Sequence, residues 1–128
     1  MAGKLSPSAQ QRIAQFESFT SEVGRINSLI EQFAVARVGQ DSIRASLKRA
    51  ASQSKLKFMT QGFAQLSQIC GTIELTAARS GPPAAMARAL REHIGALKFQ
   101  IELEMRTIVR EDEEAQAAKK KLKQEETT

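Results

Sequence analysis

The residues best equipped for chemistry in this 128-residue chain are a single histidine, His93 in "REHIGAL", and a single cysteine, Cys70 in "SQICGTI". A histidine works as a general base only beside a positioned partner, and a thiol works as a nucleophile only when its thiolate is stabilised. The sequence places no Ser-His-Asp or Cys-His set around either residue, so His93 reads as an ordinary, partly exposed side chain. A lone cysteine forms no intramolecular disulfide, and the helical apolar neighbours of Cys70 predict a small buried hydrophobe in a reducing compartment. Glu92, Glu102 and Glu104 lack the Glu-x-x-His spacing of di-iron bundles, and the seven glycines are dispersed and not gathered into a phosphate loop. The expectation is a non-enzymatic chain with no catalytic residue, no metal site and no cofactor.

The elements that position these residues are marked by sparse punctuation. Ser6 before Pro7 is an N-cap followed by a first-turn proline. Gly39 is a stop, with Asp41 or Ser42 as the next N-cap, and Gly81 followed by Pro82 and Pro83 ends one helix and opens another. Three helices are therefore predicted, at about 7–37, 41–79 and 83–121. Short connections force neighbours antiparallel, which makes the expected fold all-α: an elongated antiparallel three-helix bundle with long helices and a charged C-terminal helical extension. Residues 1–110 are assigned to the bundle domain and 111–128 to a charged, solvated tail. No run approaches the roughly 20 apolar residues of a membrane span, and the N-terminus has no hydrophobic leader, so a cytoplasmic protein is expected.

The apolar patterns point to a core. In the first helix Phe16, Phe19, Val23, Ile26, Ile30 and Phe33 form one stripe. In the third, Met86, Leu90, Ile94, Leu97, Ile101, Met105 and Ile108 follow an eleven-residue period, the pattern of a nearly straight helix. The second helix is less simple. Ile43, Leu47, Ala51, Phe58 and Ile69 share one face, while Leu56, Met59, Phe63, Leu66, Cys70 and Ile73 form another about 130° further round. Either the buried face rotates near Ser52 to Ser54, or a second apolar surface exists there. Opposite the main stripe of the third helix, Ala85, Ala89, Ala96, Phe99 and Leu103 form a smaller apolar line, read as the second intrabundle contact or as a docking face. Leu56, Phe58, Met59, Phe99 and Leu103 are the candidate partner-binding residues.

Charge adds a second candidate surface. The net charge is +5, and nearly all of the excess lies in residues 40–81, with six bases against two acids. Arg44, Lys48 and Lys55 share a face within about 40°. The tail adds Lys119, Lys120, Lys121 and Lys123 behind the acidic block Glu111 to Glu114. These bases form the candidate patch for an acidic partner or for nucleic acid. Trp and Tyr are absent, which removes most stacking platforms for single strands and makes nucleic acid the alternative rather than the main reading.

The segment "SQSKLKFMTQGFAQLSQICGTIELTAARSG", residues 52–81, resembles the helix that carries the phosphorylated histidine in bacterial histidine-phosphotransfer domains. The likeness lies in a Leu-Lys pair and in a closing Leu, Cys, Glu, Ala-Arg and Gly pattern. Aligned on Leu56 and Lys57, the histidine position falls on Ser54; aligned on Cys70, it falls on Ser52, with Lys55 as the lysine. Phe58 stands where that family prefers a small residue. The resemblance implies a mimic that lacks the phosphorylated histidine. The main expectation is a helical protein-protein interaction module, an adaptor or assembly subunit that binds a protein partner or a second copy through spare apolar faces.

Overall fold

The computed structural model describes residues 4–79 and 81–126, and the described residues form four helices and no strands. Residues 1–3 of the expected bundle domain and 127–128 of the expected tail lie outside them. The first helix, α1 (Pro7–Val35), starts as its sequence requires: Ser6 is the N-cap, its hydroxyl accepts from the Ala9 N–H at 3.2 Å, and Pro7 opens the first turn. It ends at Val35, and Gly39 stands at φ 74° immediately before α2 (Gln40–Thr60). Gly39 rather than Asp41 or Ser42 occupies the N-cap position, and Asp41 lies in the first turn, where its charge suits the helix dipole.

The expected single helix over 41–79 is two helices, so the three-helix bundle is corrected to four. The chain stops at Thr60, turns through Gln61, Gly62 and Phe63, and resumes as α3 (Ala64–Ala78). The stop is a Schellman motif. The Phe63 N–H donates to the Phe58 carbonyl at 2.8 Å and the Gly62 N–H to that of Met59 at 3.1 Å, with Gly62 at φ 86°. A residue without Cβ is needed there, because left-handed backbone crowds an L side chain. The Phe63 ring then packs edge-on against Phe16 and Phe19, at 4.9 and 5.6 Å between centroids. The turn is thereby joined to the core it helps to close.

The last helix, α4 (Pro83–Glu126), is continuous over 44 residues, about 66 Å at 1.5 Å per residue. Each helix borders two others: α1 lies beside α2 and α4, and α3 beside the same two. Cross-links show that every neighbouring pair runs antiparallel. Lys57 Nζ lies 2.7 Å from Glu22 Oε1 between α2 and α1, and Lys55 Nζ lies 3.1 Å from Glu74 Oε2 between α2 and α3. Gln65 accepts from Gln100 between α3 and α4, and Arg91 donates twice to Glu31, at 2.9 and 2.8 Å, between α4 and α1. The result is a closed up-down-up-down bundle.

Its core is the set of stripes read above, rearranged by the turn. Phe16, Phe19, Ile26, Ile30 and Phe33 from α1, Leu47, Ala51 and Phe58 from α2, Leu66, Cys70 and Ile73 from α3, and Leu90, Ile94, Leu97 and Ile101 from α4 are all buried. Phe19 meets Phe58 edge to face at 4.8 Å and Phe16 at 5.2 Å, the geometry that the ring quadrupoles favour. Below the α2–α3 turn only α1 and α4 continue, where Leu5, Ile13 and Met105 are half-buried. The start of α1 is held to α4 by Asp112, which accepts from the Ser6 N–H at 3.0 Å and from its hydroxyl at 2.5 Å. Gln116 donates to the Lys4 carbonyl at 3.1 Å, so the acidic block and the turn after it partly anchor the start of α1.

Candidate functional site

The turn at Gly62 separates the candidate partner residues into two classes. Leu56 and Met59 point outward from α2, 58 and 59% exposed. Phe58, two positions from Leu56 and so on the other side of the helix, is fully buried against Phe19. Phe58 is therefore a core residue and not part of a free surface, because its ring packs on Phe19 of α1 with no exposed area. The stripe that appeared to run from Leu56 and Met59 to Ile73 is broken: Leu66, Cys70 and Ile73 are the inner face of α3. Leu75, outside both stripes, is an exposed large apolar residue of α3, at 65%. Its signal was present in the sequence, since it lies about 180° from the Leu66 face once α3 is read as a helix of its own.

On α4, Phe99 and Leu103 are exposed, and so are Ala85, Gly95 and Ala96, with Ala89 half-buried. This line lies opposite the Leu90, Leu97 and Ile101 face that packs on α1 and α3. The bundle leaves most of it uncovered.

The basic candidates behave differently from a solvated stripe. The Arg44 guanidinium lies 5.8 Å from the Phe33 ring centre and its Nη2 is 3.6 Å from the Met86 sulfur, so it covers one end of the core. Lys55 lays its stem across α3, where a Cβ on Gly71 would meet its Cδ at 3.4 Å, and its ammonium pairs with Glu74. Lys48 is exposed. Lys57 pairs with Glu22 and sits 5.5 Å from the Phe19 ring centre, closing the aromatic cluster from outside. Lys119, Lys120, Lys121 and Lys123 lie on the exposed last turns of α4, well beyond the α2 bases in the chain. The structure thus does not bring the seven bases into one patch.

Cys70 is fully buried, and burial, with the Glu22 carboxylate adding to it, pushes its thiol up to about 12. A thiol held there is protonated and inert. His93 is half-buried on α4, and Glu92 and Glu102 are exposed on the same helix. Among the described residues, no group of three or more His, Cys, Asp or Glu side chains is placed to hold a metal ion, and no helix is long and apolar enough to cross a membrane. No protein-family model, curated protein or solved structure matches the chain.

Proposed function

We propose that the chain is a non-enzymatic helical interaction module, an adaptor or assembly subunit, that binds protein through apolar side chains held outside its own core. One observation carries this reading: Leu56, Met59 and Phe99 are each close to 60% exposed on helices whose opposite faces are already packed. Single exposed apolar residues are ordinary, but here they recur on α2, α3 and α4 beside small residues. Anchors carried on preformed helices require no ordering of backbone on binding, which favours their use as contact points. The test is affinity capture with the wild type, with Leu56→Ser/Met59→Ser and with Phe99→Ser, followed by titration of the captured protein in purified form. A saturable complex that one of these variants weakens at least about tenfold is expected. Unaltered binding by both, together with a strictly monomeric chain, overturns the reading.

A second reading, a phosphotransfer mimic without the histidine, is favoured by one placement. Ser52 is partly exposed on α2 three positions before Lys55, whereas Ser54 is buried, so the alignment on Cys70 is the one with its serine at the surface. This reading predicts binding to a receiver domain that Lys55→Glu weakens. Indifference to that change ends it.

A further inference from the structure

The outer face of α4 has the layout of a surface that fits itself. Taking about 100° per residue, Arg88, Glu92, Gly95, Leu103, Arg106 and Arg110 all lie within about 40° of Phe99. A two-fold axis beside Phe99, perpendicular to α4, brings a second α4 across antiparallel, with residues equally distant from Phe99 facing one another. Leu103 of one copy then meets Gly95 of the other, a large side chain against a missing one. Glu92 meets Arg106, an acid against a base, about 10 Å from the axis on either side. The two phenylalanines meet at the centre.

Two observations within the chain point the same way. Gly95 stands in the middle of a 44-residue helix, and a Cβ added to it would meet nothing within 4 Å. A mid-helix glycine is disfavoured relative to alanine, and nothing in the bundle requires it. Close approach of another helix gives it a reason. In addition, neither Glu92 nor Arg106 takes part in an ion pair of its own chain among the described residues. Arg88 faces Arg110 in this arrangement, about 16 Å from the axis, where crossing helices have diverged. The α2–α3 face is not self-complementary in this way: Lys55 is already paired with Glu74 and Lys57 with Glu22, and the exposed charges left on α2 and just after α3 are Lys48, Arg49 and Arg79 against Asp41.

We infer that the exposed face of α4 binds a second copy of this chain, in an antiparallel two-fold contact centred on Phe99. The inference rests on the interaction-module reading and names the partner of one of its two faces. A single-helix crossing is smaller than a standard interface, so self-association in the range of about 10 to a few hundred micromolar is expected. Sedimentation equilibrium up to about 1 mM, with circular dichroism as the check on folding, is the experiment. Glu92→Arg and Arg106→Glu each weaken the dimer on the order of tenfold, and the double variant restores it. Gly95→Ala gives a fold at least as stable as the wild type but a dimer weakened on the order of tenfold. A chain that stays monomeric to about 1 mM overturns the inference, as does a folded double variant that does not recover the dimer. A dimer lost in Leu56→Ser/Met59→Ser but kept in Glu92→Arg overturns it too, while leaving the broader reading in place. The capture experiment on Leu56 and Met59 judges that broader reading separately.

Discussion

Replacing Phe58 by alanine separates two roles that look alike in the sequence. Phe58 is fully buried, its ring meets Phe19 at 4.8 Å, and its carbonyl accepts the bond that turns the chain at Phe63. Truncating a buried phenylalanine costs about 3–5 kcal/mol, and the cost is largest where rigid neighbours cannot collapse into the cavity. Here the Phe19 ring and the hydrogen-bonded turn at Phe63 leave little room to collapse, which places Phe58→Ala at about 4 kcal/mol. With a urea slope of about 2 kcal/mol per molar for a chain of this size, the unfolding midpoint falls by about 2 M. Leu56→Ala removes a side chain that is already 58% exposed, and its cost stays within about 0.5 kcal/mol, or about 0.25 M. Urea titrations followed by circular dichroism measure both. Should the wild type be too marginal to carry the alanine, Phe58→Leu keeps most of the volume and still costs about 1–2 kcal/mol through lost ring contacts. A shift below about 0.5 M for Phe58→Ala, or a shift as large for Leu56→Ala, refutes the assignment of Phe58 to the core and Leu56 to the surface.

Three other outcomes follow from the geometry. Gly62→Ala puts a Cβ into open space but at φ 86°, so it costs about 1–2 kcal/mol through backbone strain alone, read as a lower midpoint with unchanged helicity. Cys70 reacts with an aromatic disulfide reagent at pH 8 at least about a hundredfold more slowly in the folded chain than in urea, because its thiol titrates near 12. The Ser6 hydroxyl, its backbone N–H, the Gln116 side chain and nearby Lys119 hold the Asp112 carboxyl below the usual range. A lowered value means that the folded state favours the charged form. The clasp at Ser6 is then intact above the unfolded-state value of about 3.9 and is released as pH falls through the lower folded value. Amide signals of residues 5–10 report this step in an acid titration, and Asp112→Asn loosens the same residues at neutral pH.

The parts of the fold that were legible in the sequence are those governed by a single periodicity. The α1 stripe from Phe16 to Phe33 is buried throughout, and the α4 stripe is buried apart from the half-exposed Met105. The eleven-residue spacing corresponds to one unbroken helix. What was not legible was the division of 41–79, because a glycine inside an apolar pattern is weak evidence for a stop when only the pattern is weighed. The deciding signal was short: Gly62 followed at once by the apolar Phe63, the C′ and C″ positions of a Schellman ending. The two stripes about 130° apart mixed two helices: Leu56 and Met59 are outward residues of α2, whereas Leu66, Cys70 and Ile73 are the inner face of α3. Phe58 was misplaced as a partner residue for the same reason, while Leu56, Met59, Phe99 and Leu103 are exposed because no neighbour in the ring of four reaches them. The basic stripe misled in another way: helical spacing aligned Arg44 and Lys55, but only three-dimensional contacts with Phe33, Met86 and Glu74 show how each is engaged.

The bond between Ser6 and Asp112 also sets the polarity of the whole bundle. It brings the beginning of α1 to the side of α4, so Lys4 and the last turns of α4 lie toward the same pole. The two differ in height, because α4 continues for fourteen residues past Asp112, about 21 Å of helix. The opposite pole carries the short links around Gly39 and Gly81. Fluorophores at Lys4 and Leu122 therefore report on one pole, and a tether fixed at both positions suspends the bundle with the links at Gly39 and Gly81 facing away from the anchor.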